Sequence, residues 1–276
     1  MENIKTLGLV TLYNPDEGVR SNILSYSPYI DCLIVWNNCE KDYQSWFSED
    51  ENVIYHTPGY NTCIAPALKY ASNHALSEGY DLLLIMDQDS RWEDFPSYLT
   101  DVKSYLRDRY AEVFTPYICG CDTFEISATV MPRRLFINSG TVFSSTALKA
   151  ISNIDEHAFP LDALDHDIAL TLIEKGLKAV CLTSHKMKHT LGEGQRIGLF
   201  KIYTNNYNAF RTYSMTRSHI ICYRKHHKKM TSAEKMYLFK EIIFWKLVRI
   251  TFAESDKIKK YCALTKGIIS GLKYKI

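Results

Sequence analysis

The segment that most constrains the fold is an unbroken apolar run followed at once by two acids. Residues 82–86 read Leu-Leu-Leu-Ile-Met, without glycine or proline, and Asp87-Gln88-Asp89-Ser90 comes next. Such a run is typical of a strand buried on both faces of a sheet. In an extended chain Asp87 and Asp89 point the same way and could hold one divalent cation, with Gln88 turned aside. The segment predicts a metal-dependent site for a phosphorylated substrate at a sheet edge.

Strand and helix patterns alternate around this segment. Strands are predicted at residues 6–12, 32–36 and 53–56, and helical spacing of apolar residues follows at 64–76. Later strands are predicted at residues 113–117 and 179–182. The alternation predicts an α/β protein with a mostly parallel central sheet flanked by helices and joined by right-handed crossovers.

Polar residues follow several of the predicted strands. They are Thr11, Asn14, Asn37, Asn38, Asn61, Asp87 and Asp89. Because the carboxyl ends of parallel strands meet at one edge of a sheet, these side chains should converge there. The chain has no GxGxxG and no GxxxxGK[ST] sequence. Phosphates must therefore be held by a metal and by side chains.

A second group of polar residues lies farther along the chain. Asp162, Asp165 and Asp167 precede a predicted helix that ends at Gly176. These acids could belong to a functional site, or they could simply complement the helix dipole, and both interpretations remain open. Ser139-Gly140 is a small-residue break where a substrate could approach the backbone. Residues 189–194 are predicted to form a polar loop with enough glycine to move.

Charge is distributed unevenly along the 276 residues, of which 46% are hydrophobic. From residue 224 to the end there are 14 Lys and Arg against 4 Asp and Glu, a net +10, whereas residues 1–223 carry a net −8. A basic end is compatible with nucleic acid, anionic lipid or a solvated helix face. Residues 232–275 are predicted to form two amphipathic helices. The eight cysteines have no CxxC spacing and are predicted to be reduced thiols.

The sequence predicts a cytoplasmic protein, with the inner face of the cell membrane as a more specific location. No apolar run reaches about 18 residues, and the first residues lack a signal-peptide pattern.

In their order, these residues resemble family 2 glycosyltransferases, and within them the bacterial rhamnosyltransferase-like branch. Asp87-Gln88-Asp89-Ser90 looks like that branch's DxD metal motif. The other matching segments are 10–16, 35–38, 61–68, Ser139-Gly140, Asp165-His166-Asp167, His189-Thr190-Leu191-Gly192 and 211–217. The resemblance implies a GT-A (Rossmann-like) catalytic domain at residues 1–225, followed by a basic amphipathic helical extension at 226–276.

The resemblance also implies the chemistry. The protein would be an inverting, metal-dependent glycosyltransferase, using Mg²⁺ or Mn²⁺, that moves a sugar from a nucleotide-diphosphate donor. The first choice is rhamnose from dTDP-rhamnose, passed to a saccharide or lipid-linked saccharide acceptor during surface polysaccharide synthesis. The alternative is a UDP-hexose transferase for galactose, galactofuranose or glucose. The basic C-terminal helices would contact the membrane peripherally, or would only pack on the domain.

Site roles follow from the same resemblance. The nucleotide would be held by Thr11, Asn14, Asn37, Asn38, Asn61, Asp87 and Gln88. The cation would be held by Asp87 and Asp89, with His189 completing the metal or diphosphate site. Asp165 would be the catalytic base, with Asp167 as the other catalytic candidate. The acceptor or the diphosphate would be contacted by Ser139, Gly140, Asp162, Arg211 and Arg217. For the two arginines, structural salt bridges are an equal alternative.

Some positions depart from the family pattern. Asn37 stands where the family usually has Asp. Asn can still make a hydrogen bond to the nucleotide base but has no charge, so the preference for one nucleotide base remains open. Thr171 replaces a common Arg, so Asp167 and Asp162 remain alternatives to Asp165 as the base.

Two other classes compete with a transferase. A nucleotidyltransferase would also use paired acids and Mg²⁺, but it should carry a Gly-rich basic loop after its first strand, which residues 13–18 are not. A nucleic-acid-binding protein would bind through its basic end, with an affinity that falls steeply with salt. No nucleic-acid partner is expected.

Overall fold

The computed structural model describes residues 4–189, 194–197 and 201–276. The chain forms two compact units. Unit 1 comprises Met1–Glu156 and Thr171–Thr190, and unit 2 comprises His157–Leu170 and Leu191–Ile276. Thr190, Leu191, Gly192 and Glu193 of the predicted polar loop lie outside the described residues.

Unit 1 is built on a mixed sheet that has nine strands within the described part of the chain. The strands are β1 Thr6–Leu12, β2 Cys32–Asn37, β3 Val53–His56, β4 Leu82–Asp87, β5 Arg91–Trp92, β6 Val113–Cys119, β7 Val130–Pro132, β8 Val142–Ser144 and β9 Ala179–Lys188. Their order is β3-β2-β1-β4-β8-β6-β9-β5, and β7 also pairs with β9. All the strands predicted from sequence are present.

The first four strands in this order run parallel and bring the polar strand ends together. Thr11 of β1 is paired with Asp87 of β4, and Leu12 is paired with Asn37 of β2. Residues 82–86 of β4 are all buried, as their apolar run predicts. Strand β8 is antiparallel to β4 and β6, whereas β6 and β9 are parallel to each other. Most paired residues are therefore in parallel pairs, and the mostly parallel α/β fold is confirmed.

Helices connect the strands of unit 1. They are α1 Glu17–Leu24, α2 Ala65–Ser77, α3 Phe95–Arg107, α4 Ser145–Ala150 and α5 Leu164–Glu174, the last of which begins in unit 2. Side-chain caps fix several helix starts: Asp16 accepts from Gly18 N–H at α1, and Asp94 accepts from Ser97 N–H at α3. These caps fix where the chain leaves each strand-end loop.

Unit 2 is mainly helical. It contains a hairpin of β10 Gln195–Ile197 and β11 Ile202–Thr204, then α6 Ala209–His226, α7 Ser232–Phe239, α8 Trp245–Phe252 and α9 Lys257–Lys273. A π-helical turn, Lys240–Phe244, joins α7 to α8 without a break. The predicted pair of helices in residues 232–275 is confirmed, the first being α7 and α8 together. The predicted domain boundary at 225/226 falls one residue before the end of α6, and α6 packs closely against α9. The division into a catalytic domain and an extension stays a prediction.

In the described part of the chain, no helix is both long enough and apolar enough to cross a bilayer.

Candidate functional site

Asp87, Asp89 and His189 form a cluster in unit 1. Asp87 ends β4 and Asp89 lies in the turn that follows, while His189 comes directly after β9. The short strand β5 pairs Arg91 with Lys188 of β9, which brings the two loops together. One ligand atom from each of the three side chains lies within 4.8 Å of the others. The two carboxylates offer the oxygen donors that suit Mg²⁺ or Mn²⁺, and the imidazole adds one nitrogen donor.

Two buried serines support the loop of residues 87–90. Ser139 Oγ accepts the Asp87 backbone N–H at 3.0 Å and donates to Ser90 Oγ at 2.7 Å. Ser90 Oγ lies 2.7 Å from His189 Nδ1, and the side chains of both serines are fully buried. The loop and the histidine are thereby tied to each other. Sequence reasoning placed Ser139 near a substrate and gave no role to Ser90.

The tautomer of His189 decides whether it can bind a cation. The imidazole can ligate through Nε2 if its proton is on Nδ1, where Ser90 Oγ can accept it. Asp89 Oδ1 lies 3.7 Å from Nδ1, and 47% of the Asp89 side chain is exposed, against 12% for His189. The cluster therefore has a solvent-facing carboxylate and a held imidazole, as an accessible cation site requires.

Gln88 and Asn22 attach this loop to the start of the chain. Gln88 Oε1 accepts the Tyr13 N–H at 2.8 Å, and its Nε2 donates to the Tyr13 carbonyl at 3.0 Å. Asn22, buried on α1, donates to the carbonyls of Gln88 and Ser90. The predicted nucleotide contact Gln88 thus has its amide engaged by backbone. Asn22 was missed, because a mid-helix Asn carries no sequence signal for such a contact.

The remaining predicted nucleotide residues surround the same strand ends. Asn37 donates to the Lys41 carbonyl, and Asn38 donates to the Cys63 carbonyl while accepting from Thr62 N–H. Asn14 has a left-handed backbone with φ of 47°, and its N–H lies 2.9 Å from Cys39 Sγ. Asn61 Oδ1 accepts from Cys63 N–H, and Thr11 is the partner of Asp87 in the sheet. The side-chain amides of Asn37 and Asn38 hold loops in place, and their contact with a base stays a prediction.

Gly140 sits where no side chain fits. Its φ is +76°, and an added Cβ would lie 2.7 Å from Met187 Sδ and 2.9 Å from Pro116 Cγ. Its N–H donates to the Ile85 carbonyl, and its carbonyl accepts from Tyr98 Oη. Glycine is required here for close packing beside β4.

Asp165 and Asp167, two of the predicted acids of unit 2, have different surroundings. Asp167 is 5% exposed and accepts from Lys225 Nζ at 2.8 and 3.1 Å. The same carboxylate lies 2.8 Å from Nε2 of buried His226. Asp165 is partly buried and accepts from the N–H of His166 at 2.8 Å. The charge of Asp167 is therefore compensated by the end of α6.

Both predicted arginines bind protein groups of unit 2. Arg211 Nη2 donates to Asp162 Oδ1 at 2.9 Å, and its guanidinium lies 5.1 Å above the Tyr207 ring. Burial raises the pKa of Asp162, although Arg211 opposes the shift. Arg217 donates to the His157 carbonyl at 2.7 Å. The salt-bridge alternative describes Arg211 in this structure, and contacts of either arginine with a diphosphate stay predictions.

Solved structures with similar folds identify the class of architecture. The crystal structure of S. aureus TarS 1–349 matches 98% of this chain and 81% of its own, with a TM-score of 0.61 and 13% identity. The same protein in complex with UDP-GlcNAc matches 96% of this chain and 81% of its own, with a TM-score of 0.59 and 13% identity. The crystal structure of GalNAc-T7 with UDP, GalNAc and Mn²⁺ matches 94% of this chain and 53% of its own, with a TM-score of 0.62 and 8% identity. The GT-A fold predicted from sequence is confirmed.

The chain is also similar in sequence to one particular bacterial protein. The chain is 20% identical to the dTDP-rhamnosyl transferase RfbF of Shigella flexneri, over 297 aligned positions that include 99% of each chain. No protein-family model matches the chain.

Proposed function

We propose that the protein is an inverting glycosyltransferase of family 2 that transfers rhamnose from dTDP-rhamnose to a saccharide or lipid-linked saccharide in surface polysaccharide synthesis. The observation that carries the proposal is the cluster of Asp87, Asp89 and His189 at the strand ends of a GT-A fold. Similarity to RfbF over the whole chain supports rhamnose as the sugar.

A divalent cation bound at Asp87, Asp89 and His189 would neutralise the charge that grows on the departing diphosphate. The GalNAc-T7 structure, solved with UDP and Mn²⁺, supports a cation of this kind. Ser90 and Ser139 hold the backbone at Asp87 and the imidazole in place, so that little reorganisation of these groups is needed when the donor binds. Strand-end residues, Thr11 and Asn14 among them, would hold the nucleoside.

Asp165 is the proposed base. Its carboxylate would take the proton of the acceptor hydroxyl as the oxygen attacks the anomeric carbon and the bond to the diphosphate breaks, which inverts the configuration. Asp167 is less suited to this role, because Lys225 already compensates its charge and its carboxylate also contacts His226 Nε2. Asp162 is likewise paired with Arg211.

Transfer from a UDP-hexose is the second candidate. TarS has been solved with UDP-GlcNAc. In this chain Asn37 replaces the usual acid of the family at the site predicted to bind the nucleotide base. Donor specificity is therefore measured with dTDP-rhamnose and with UDP-hexoses side by side.

The test compares the wild type with Asp89→Asn and Asp165→Asn in donor turnover and in Mg²⁺-dependent dTDP binding. Asp89→Asn should lose both, because the cation loses a charged ligand. Asp165→Asn should lose about a hundredfold or more in turnover while binding dTDP normally. EDTA should abolish wild-type turnover, and Mg²⁺ or Mn²⁺ should restore it.

Asp108→Asn, the same change at an exposed position after α3, is the matched control and should behave as wild type. Full turnover of Asp89→Asn would contradict the metal role, and full turnover of Asp165→Asn would contradict the base role. If the wild type binds no nucleotide, the transferase proposal fails as a whole.

The proposal includes peripheral contact with the membrane. Large aromatic side chains on the α7–α8 segment are exposed, and the exposed Lys240 lies between them. The exposed rings are Tyr237, Phe239, Phe244, Trp245 and Phe252. Exposed aromatic and basic side chains on one helical segment are typical of helices that lie in a membrane interface.

A further inference from the structure

Unit 2 contains a cavity of about 410 Å³ that includes none of the residues assigned above to the donor, the cation, the catalytic base or the acceptor. Its walls come from α6, from β11 and the segment after it, and from α7 to α8 with their π-helical turn and the residues just after α8. This volume is typical of pockets that bind small molecules. The π-helical turn contributes Glu241 and Ile242 to the wall, and such turns occur frequently at functional sites.

A buried group of two lysines and one glutamate carries excess positive charge at this cavity. Glu254 lies 3.0 Å from Lys260 Nζ, and 3.3 and 3.5 Å from Lys246 Nζ. All three residues are less than 10% exposed. Thr204 Oγ1 also donates to Glu254. Because two ammonium groups share one carboxylate, the group has a net charge of +1 that no side chain within it balances.

Lys246 is the lysine that faces the cavity. Lys260 has a short additional bond, 2.6 Å to Asn206 Oδ1, and is not part of the cavity wall. Lys246 lines the cavity, and its distances to Glu254 are the longer ones. Burial lowers the pKa of Lys246, which Glu254 opposes. An anion in the cavity would complete the coordination of this ammonium group.

The other charged residues of the wall do not cancel this excess. Arg249 lines the cavity and pairs with Glu241, which also lines it, at 2.9 Å. Their charges balance, while the guanidinium keeps further N–H donors for a ligand. The charged residues of the wall and Lys260 behind it therefore have a combined net charge of +1.

Three tyrosines complete the wall. Tyr203, Tyr207 and Tyr237 line the cavity, and the Lys246 ammonium lies 5.9 Å above the Tyr207 ring. Tyrosine rings offer apolar faces to a ligand and hydroxyl groups for hydrogen bonds. The cavity thus combines a cationic end with an aromatic surface.

We propose that this cavity binds a phosphate-bearing ligand, either a phosphate ester or a diphosphate. Lys246 and Arg249 bind the phosphate oxygens, and the tyrosines contact the rest of the molecule. The ligand comes from a lipid-linked phosphate or from a water-soluble one. The inference does not depend on the transferase proposal, since none of its residues belongs to the Asp87, Asp89 and His189 cluster.

The test measures binding of inorganic pyrophosphate and of geranyl diphosphate by calorimetry, with EDTA present so that no cation site contributes. Wild-type protein should bind at least one of them. Lys246→Met should weaken binding by about tenfold to a hundredfold, because a charged hydrogen-bond donor is lost. Lys246→Arg should retain most of the affinity.

Lys240→Met is the matched control, because Lys240 is exposed at the start of the π-helical turn, and it should bind as wild type does. Folding is checked by circular dichroism, and Lys246→Met should fold, since Lys260 and Glu254 then balance each other. Tighter binding of geranyl diphosphate than of pyrophosphate would support a lipid-linked source, and equal binding a water-soluble one. Absence of binding to the wild type, or unchanged binding in Lys246→Met, would overturn the proposal.

Discussion

Asn22, Ser90 and Ser139 have no charge, yet they determine where the charged side chains of unit 1 are held. Each is buried, and each makes hydrogen bonds to the loop of residues 87–90 or to His189. Removing one partner of a buried hydrogen bond leaves a polar group without compensation, at a cost of about 1 to 3 kcal/mol. The geometry of the acids is therefore fixed by neutral residues around them.

His219 on α6 should make the protein sensitive to acid. Burial and the neighbouring His166 lower the pKa of His219 from 6.5 to about 4, although the Met215 carbonyl and Asp165 oppose the shift. Between these values the unfolded chain binds a proton that the folded chain does not, so the free energy of unfolding falls as the pH drops. His219→Gln should remove about 2 to 3 kcal/mol of this dependence, measured by urea unfolding at pH 7 and pH 4.

His157→Gln is the control for this experiment, because that side chain is exposed. It should keep the wild-type loss of stability in acid. An equally steep loss in His219→Gln would show that other groups cause the acid sensitivity.

Sequence reasoning located the acids correctly at the end of a buried strand, because an apolar run and its polar end are local signals. It could not find Asn22 or Ser90, whose partners lie 49 to 99 positions away along the chain. A serine or an asparagine in such a place has no pattern that distinguishes it from a surface residue.

Helices α6 and α9 approach closely because α9 carries glycine on the contact face. A Cβ at Gly267 would lie 2.9 Å from the Tyr213 carbonyl oxygen and 2.9 Å from Thr216 Cβ. In Gly267→Ala the helices must move apart, at a cost of about 1 to 3 kcal/mol. The gain of about 1 kcal/mol in helix propensity offsets part of this cost, so the free energy of unfolding should fall by up to about 2 kcal/mol. Urea unfolding measures the difference.

Lys266→Ala tests the same helix at an exposed position and should change stability by less than about 0.5 kcal/mol. Equal or greater stability of Gly267→Ala would mean that the helix contact adjusts freely.

Among the strands of unit 1, those of four or more residues were predicted and the shorter ones were not. Strands β1, β2, β4 and β6 have apolar runs that specify them, whereas β5, β7 and β8 have two or three residues each. Such strands exist because a neighbouring strand offers backbone partners, which a single sequence does not reveal. One of these short strands, β5, pairs with β9 and thereby brings together the loops that carry Asp87, Asp89 and His189.

For the whole molecule, a net charge of +2 hides a basic C-terminal segment. If this segment contacts membrane, the protein should co-sediment with vesicles containing phosphatidylserine and much less with neutral vesicles. Binding should weaken with added salt, because screening shortens the range of the attraction to about 10 Å at 0.1 M salt. Replacing exposed Trp245 and Phe252 by Ala should weaken binding further.

Tyr60→Ala removes an equally exposed ring from unit 1 and should leave vesicle binding unchanged. Binding that does not distinguish anionic from neutral vesicles, or that survives the Trp245 and Phe252 changes, would favour lysines that are only solvated.

Unit 2 takes its residues from two separate stretches of the chain, 157–170 and 191–276. The polypeptide consequently crosses between the units three times, and no single cut separates them. Exchange of the C-terminal segment with that of a relative would not transplant a domain, because Asp167 would remain behind without its partners Lys225 and His226. Recombination in such a protein should be productive only when the stretch that carries Asp162, Asp165 and Asp167 is inherited together with α6.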